Sequence, residues 1–173
     1  MLIGKKHFLT VGAMALAMAI AAPVAAQQKS VAITAIVEHP ALDAVRDGVQ
    51  DALKQAGYES GKNLKWQYQS AQGNTGTAAQ IARKFVGDKP DAIVAIATPS
   101  AQAVVAATKD VPVVYSAVTD PVAAQLVSSM DASGTNVTGV SDLGGVLLHL
   151  PALVVGQLQR DLAEVVAPLA GLH

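Results

Sequence analysis

Residues 91–120 read DAIVAIATPSAQAVVAATKDVPVVYSAVTD. Two apolar, β-branched runs, 92–97 and 112–116, flank a stretch of small residues over about 100–108 that suits a helix. The first run ends in Thr98-Pro99-Ser100, the second in Ser116 and Thr119-Asp120. A strand, a helix and a second strand in this order form one crossover unit of a parallel sheet. Polar groups then stand at the carboxyl ends of both strands, the edge at which open α/β sheets hold ligands.

The flanking chain repeats the unit. Residues 31–37 (VAITAIV) are apolar on both faces, as a central parallel strand requires. Pro40 suits a first helical turn, and Leu42, Val45, Val49, Ala52, Leu53 and Ala56 follow at helical spacing up to Gly57. The opposite face carries Asp43, Arg46, Asp47, Gln50, Asp51 and Lys54 and is expected in water. Residues 63–69 (NLKWQYQ) alternate apolar and polar, which predicts a half-exposed strand at a sheet edge. Residues 71–74 turn the chain. Thr75 or Thr77 is then expected to cap a helix built on Ala78, Ile81, Ala82, Phe85 and Val86, ended by 87–90. Pro121 is expected to open a further helix through Ser129, and 136–140 (NVTGV) to form a last short strand. The predicted order is βαβαβαβαβ. The economical arrangement is a flavodoxin-like α/β fold, a doubly wound parallel sheet with helices on both faces.

The two ends differ from this middle. Lys5 and Lys6 precede an apolar stretch over 8–22, and Val24-Ala25-Ala26 offers small residues before Gln27. That pattern predicts a signal peptide over 1–26, cleaved after Ala26, and export to a bacterial periplasm; the stretch is short for a membrane span. Residues 27–143 form the expected α/β lobe. Residues 144–173 hold eight Leu in 30 positions and only Arg160, Asp161 and Glu164 as charged groups, whereas 27–143 hold five Leu. This Leu-rich segment, with two short helices possible at 146–150 and 158–166, is expected to be foreign to the lobe, as a frameshift or truncation would leave it.

Composition excludes several functions. A net charge of -1 offers no basic patch for nucleic acid. The absence of cysteine excludes disulfides, thiol catalysis, Cys-ligated zinc and a lipid anchor on an N-terminal cysteine. His39 stands before a proline as a turn residue, with His149 and His173 far away in the tail, so no metal is expected. Gly73-Asn74-Thr75-Gly76 lacks the GxxxxGK(S/T) pattern and follows the second strand, so it is expected to be a loop, with Asn74 near the site. No GxSxG elbow occurs, and no Ser, His and Asp are matched for catalysis; no cofactor and no enzyme activity are expected.

The candidate site is a binding site. Free N–H groups where the strand enters the helix at Thr98-Pro99-Ser100-Ala101-Gln102 favour an anion such as a carboxylate; Thr98 and Ser100 add hydroxyls and Gln102 an amide. Simple capping by Thr98 is the alternative. Ser116, Thr119 and Asp120 occupy the matching place one strand later, where Asp120 can receive an amine or cap what Pro121 opens. Glu38 and His39 follow the first strand.

Three stretches, VAITAIVEHPALDAVRDGVQDALKQAGY, DAIVAIATPSAQAVVAATKDVPVVYSAVTDPVAAQLV and GTNVTGVSD, together resemble the periplasmic substrate-binding proteins of ABC transporters, closest in type to the TrpX-like family. The likeness spans about residues 31–142. It implies one lobe of a type I periplasmic binding fold, a small-molecule solute such as an amino acid or related carboxylate, and an ABC permease in the inner membrane as partner. It also implies ligand contacts from Glu38, His39, Asn74, Thr98, Ser100, Gln102, Ser116, Thr119 and Asp120, with Ser141 and Asp142 at the crossing into a second lobe. Since closure on a solute takes two lobes, weak or absent binding is expected of one lobe followed by the Leu-rich tail. A periplasmic sensor or interaction domain of the same fold is the alternative, and a flavodoxin-like enzyme a more distant one.

Overall fold

The structure, a computed structural model, describes residues 28–130 and 135–142. The expected signal peptide and the Leu-rich tail lie outside the described residues.

Five parallel strands form one sheet: β1 (Lys29–Ala35), β2 (Leu64–Ser70), β3 (Ala92–Ile96), β4 (Val113–Val118) and β5 (Val137–Ser141). Their spatial order is β2-β1-β3-β4-β5, the flavodoxin-like order expected from the alternation. Three helices connect them: α1 (Pro40–Gln55), α2 (Thr75–Asp88) and α3 (Thr98–Ala107).

Side-chain alternation along the strands builds two cores. Ala32, Ile93, Ala95, Val113 and Tyr115 pack with Ala78, Ile81, Ala82 and Phe85 of α2 and Ala101, Val104 and Val105 of α3. On the other face Val31, Ile33, Ala35, Val94, Ile96 and Val114 pack with Val49, Ala52 and Leu53 of α1. Ile33, Ile93, Ile96 and Phe85 are fully buried, each contributing roughly 1.5–3 kcal/mol of transfer free energy. β2 lies at one edge, as its alternating sequence predicted, with Leu64 buried and Trp66 and Tyr68 half-buried against the α1 core. At the amino edge, Asp91 Oδ2 accepts from Ser30 N at 2.7 Å and Ser30 Oγ at 3.1 Å, stapling the start of β3 to β1.

Two local expectations are corrected. The expected helix from Pro121 to Ser129 is instead a turn followed by irregular chain. Ala124 N donates to Asp120 O at 2.9 Å, which closes one helical turn, but the next N–H, from Gln125, reaches only Val122 O, Gln125 adopts φ 60°, and Leu126 N reaches back to Pro121 O. A left-handed residue ends helical propagation. The segment is held by burial of Ala124, Leu126 and Val127 rather than by helical bonds, so the observed order is βαβαβαββ. The cap of α2 is neither Thr75 nor Thr77 but Asn74, whose Oδ1 accepts from Thr77 N at 2.9 Å.

Candidate functional site

The carboxyl ends of the strands gather most of the predicted residues along one edge of the sheet. Glu38 and His39 stand in the exposed loop between β1 and α1. His39 is the N-cap of α1: its Nδ1 accepts from Ala41 N at 3.2 Å, and Pro40 lies in the first turn, where a missing N–H costs nothing. Asn74 stands beside this loop. Gly73 N donates to Ile36 O at 2.6 Å, tying the loop after β2 to the loop after β1. Asn74 is exposed, with its oxygen committed to the α2 cap.

The junction of β3 and α3 is the tightest part of the edge. One residue, Ala97, separates strand from helix, with φ 73° and ψ 152°. That conformation is essentially restricted to glycine, and an L-residue held there stores about 1–3 kcal/mol. Helix α3 begins at Thr98, two residues earlier than the sequence suggested, and has no side-chain cap. Capping by Thr98 is therefore not what the structure shows: Thr98 lies inside the first turn. The N–H groups of Thr98 and Ser100 lie in that first turn, before the first intrahelical donor, Ala101 N, which reaches Ala97 O at 3.1 Å. Ser100 is 0% exposed and its Oγ has no hydrogen-bond partner. Gln102 is placed differently from expectation. Its amide Nε2 donates to Ala124 O at 3.2 Å, holding the turn after β4 against α3.

The end of β4 carries the second polar group. Ser116 is 0% exposed, and its Oγ also lacks a partner. Its carbonyl accepts from Ala97 N at 2.9 Å. Thr119 and Asp120 follow at the exposed rim. Asp120 Oδ1 accepts from Val122 N at 3.1 Å and Ala123 N at 2.9 Å, the capping role its position before Pro121 suggested. Beyond β5, Asp142 N donates to Val118 O at 3.0 Å, and Asp142 Oδ1 is buried without a partner.

Three features of this edge were not anticipated. Thr34 of β1 is 1% exposed with an unpartnered Oγ1. Ala97 and Ala117 both have positive φ, 73° and 54°, and no signal for this exists in an alanine, a residue that normally avoids such angles. A buried, unpaired hydroxyl costs about 1–3 kcal/mol, so Ser100 and Ser116 are expensive groups to keep beside an uncapped helix start. Ser100 stands just past the end of β3 and Ser116 near the end of β4, with the carboxylates of Asp120 and Asp142 following β4 and β5. Such an edge can hold an anionic group at α3 and a cationic group beside the acids. Among the described residues no group of three or more His, Cys, Asp or Glu is arranged to hold a metal ion, and no helix is long and apolar enough to cross a membrane.

Comparison with known proteins places the fold in a family. Residues 30–149 match the family described as ABC transporter substrate binding protein. A Tyrosine-binding protein of Clostridioides difficile is 51% identical over 116 residues, covering 67% of this chain and 34% of the relative. The crystal structure of a conserved domain protein from Vibrio cholerae superposes with a TM-score of 0.68 at 45% identity, covering 84% of this chain and 55% of the other. An ABC domain from Streptococcus pneumonia in complex with L-Trp superposes with a TM-score of 0.63 at 37% identity, covering 66% and 39%. The chain belongs to the ABC transporter substrate-binding protein family, and the TrpX-like resemblance seen in its motifs holds. It spans between about a third and about half the length of these relatives.

Proposed function

We propose that this chain supplies a solute-binding lobe of an ABC import system, exported to the periplasm and delivering a small solute, an amino acid or related carboxylate, to an inner-membrane permease. The observation that carries this reading is Ser100: a wholly buried hydroxyl without a partner, set in the uncapped first turn of α3. A carboxylate there meets the Ser100 hydroxyl and the free N–H groups of the first turn, and it lies at the positive end of the helix. Ser116 and Thr119 line the neighbouring strand end, and Asp120 and Asp142 supply counter-charge for an ammonium group. Glu38, His39, Asn74 and Thr98 form the rim, and Gln102 acts through the turn it holds by its bond to Ala124 O. The relatives that carry tyrosine and L-Trp in their descriptions make an aromatic amino acid the first candidate.

The described residues provide one wall of such a site. A solute held against one wall keeps its other side in water, so the lobe alone is expected to bind in the millimolar range. Titration of the labelled protein with L-tyrosine, L-tryptophan and tyramine, followed by NMR, tests the reading. Saturable shifts at Ser100 and Ser116 with the two amino acids, and none with tyramine, which lacks the carboxylate, are expected. Equal responses to tyramine, or none to either amino acid, would overturn it.

A further inference from the structure

Strand β4 carries one residue more than β5 between the pairs Tyr115–Gly139 and Val118–Ser141. The extra residue reverses the alternation of side chains. Val113 and Tyr115 face the α2/α3 core and Val114 the α1 core, so a regular strand would place Ala117 with the former and Val118 with the latter. The observed placement is the opposite: Val118 joins the α2/α3 core and Ala117 packs against the α1 core. Ser116 and Ala117, which together oppose the single residue Val140, are therefore the two residues of a β-bulge, and Ala117 adopts φ 54°. Bulges of this kind re-aim side chains; the faces exchanged here are those of Ala117 and Val118, and Ser116, whose hydroxyl is buried without a partner, is the other residue of the bulge.

The register just before the bulge depends on Gly139. A Cβ built there would collide with the Tyr115 carbonyl oxygen and lie 2.6 and 2.7 Å from Cγ and Cδ2 of the Tyr115 ring. Only glycine lets β5 lie this close to Tyr115. Past the bulge, Asp142 N on Val118 O and the pair Val118–Ser141 fix the register again. With both flanks pinned, the surplus residue has nowhere to go but Ser116–Ala117.

We propose that Gly139 is a positioning residue of the solute site: by holding β5 against Tyr115 it confines the bulge to Ser116–Ala117 and so sets where the Ser116 hydroxyl stands. This rests on the reading of the strand edge as a solute site, and the test separates the two.

The test compares wild-type chain, Gly139→Ala and Gly87→Ala by NMR. Gly87 lies on α2 with nothing near its Cβ position, so it controls for the substitution itself. The collision with the Tyr115 carbonyl is with backbone, so should Gly139→Ala fail to fold, deletion of Ala117, which removes the surplus residue while keeping both flanking pairs, takes its place. Ser116 shifts that stay as in wild type then overturn the proposal. The Cα and Cβ shifts of Ser116 and Ala117 report the bulge without any ligand. In the folded Gly139 variant they are expected to move toward regular strand values, and affinity for L-tyrosine or L-tryptophan to fall by about tenfold, the loss of one well-placed hydrogen bond. Gly87→Ala is expected to change neither. Unchanged Ser116 and Ala117 shifts in a folded Gly139 variant overturn the proposal, as does unchanged affinity when those shifts have moved. If wild type binds neither amino acid, the solute reading fails, while the shifts still decide whether Gly139 confines the bulge.

Discussion

Ala97 N donates to Ser116 O at 2.9 Å, so the strained end of β3 and the bulge of β4 share one backbone bond. This bond joins two residues in unusual surroundings: Ala97 at φ 73° and ψ 152°, and Ser116 beside Ala117 at φ 54°. Strain of this sort persists only where its surroundings over-determine it. Ala97→Gly relieves the Cβ conflict and loses some of that gain to the greater freedom of the unfolded chain. A net stabilisation of about 1 kcal/mol is expected in urea unfolding. Ala97→Val is expected to destabilise by at least as much, because a β-branched side chain tolerates positive φ poorly.

Two exposed ion pairs give the chain a shallow dependence on acid. The hydrogen bond from Lys62 holds the Glu59 carboxyl below its ordinary value, and the hydrogen bond from Lys84 does the same for Asp88. A carboxyl lowered in the folded state contributes stability above its unfolded midpoint, near pH 4, and that contribution is lost as pH falls through the folded midpoint. Both groups lie in water, so the slope is expected to be small and to flatten in high salt. Carboxyl titration by NMR checks this: Lys62→Met should return Glu59, and Lys84→Met should return Asp88, to the ordinary range.

Much of the fold was legible because it is written in periodicity. The apolar runs of β1 and β3, the helical spacing from Leu42 to Leu53 and the half-polar run of β2 each have one physical solution, and the structure adopts it. The candidate site was legible only as a place, the carboxyl ends of β3 and β4, because the apolar runs there give way to Thr98-Pro99-Ser100 and to Ser116 and Thr119-Asp120. What escaped was conformation without a compositional mark. Ala97, Ala117 and Gln125 carry positive φ with side chains that ordinarily avoid it. Gln125 is why Pro121 opens a turn and not a helix. The α2 cap follows side-chain chemistry rather than periodicity: asparagine ranks above threonine at a helix start, and Asn74 immediately precedes Thr75.

Asn74 offers a clean separation of structure from recognition. Its Oδ1 caps α2 through Thr77 N, while its amide nitrogen belongs to the rim of the proposed site. Asn74→Ala removes the cap and is expected to cost about 1 kcal/mol in thermal or urea unfolding. Asn74→Asp keeps an acceptor and is expected to retain stability within a few tenths of that. If the amide nitrogen meets solute, Asn74→Asp weakens amino-acid binding without loss of stability. Binding equal to wild type would remove Asn74 from the rim.

Ser100 and Thr34 form a matched pair for the same logic, one hydroxyl in the proposed site and one within the sheet. Both hydroxyls are buried and unpartnered, and each burdens the folded state. Ser100→Ala and Thr34→Val remove one hydroxyl each with little change in shape, and each is expected to stabilise the protein by about 1 kcal/mol. Their effects on binding should differ. Ser100 lies in the free first turn of α3, where a carboxylate has N–H donors to reach, whereas Thr34 lies within β1, which pairs along its length with β2 and β3. Ser100→Ala is therefore expected to trade affinity for stability, and Thr34→Val to gain stability with affinity unchanged. Unfolding curves and an L-tyrosine titration on the same samples decide it: a Ser100→Ala protein that is more stable and binds as well as wild type would mean that its hydroxyl is not kept for the solute.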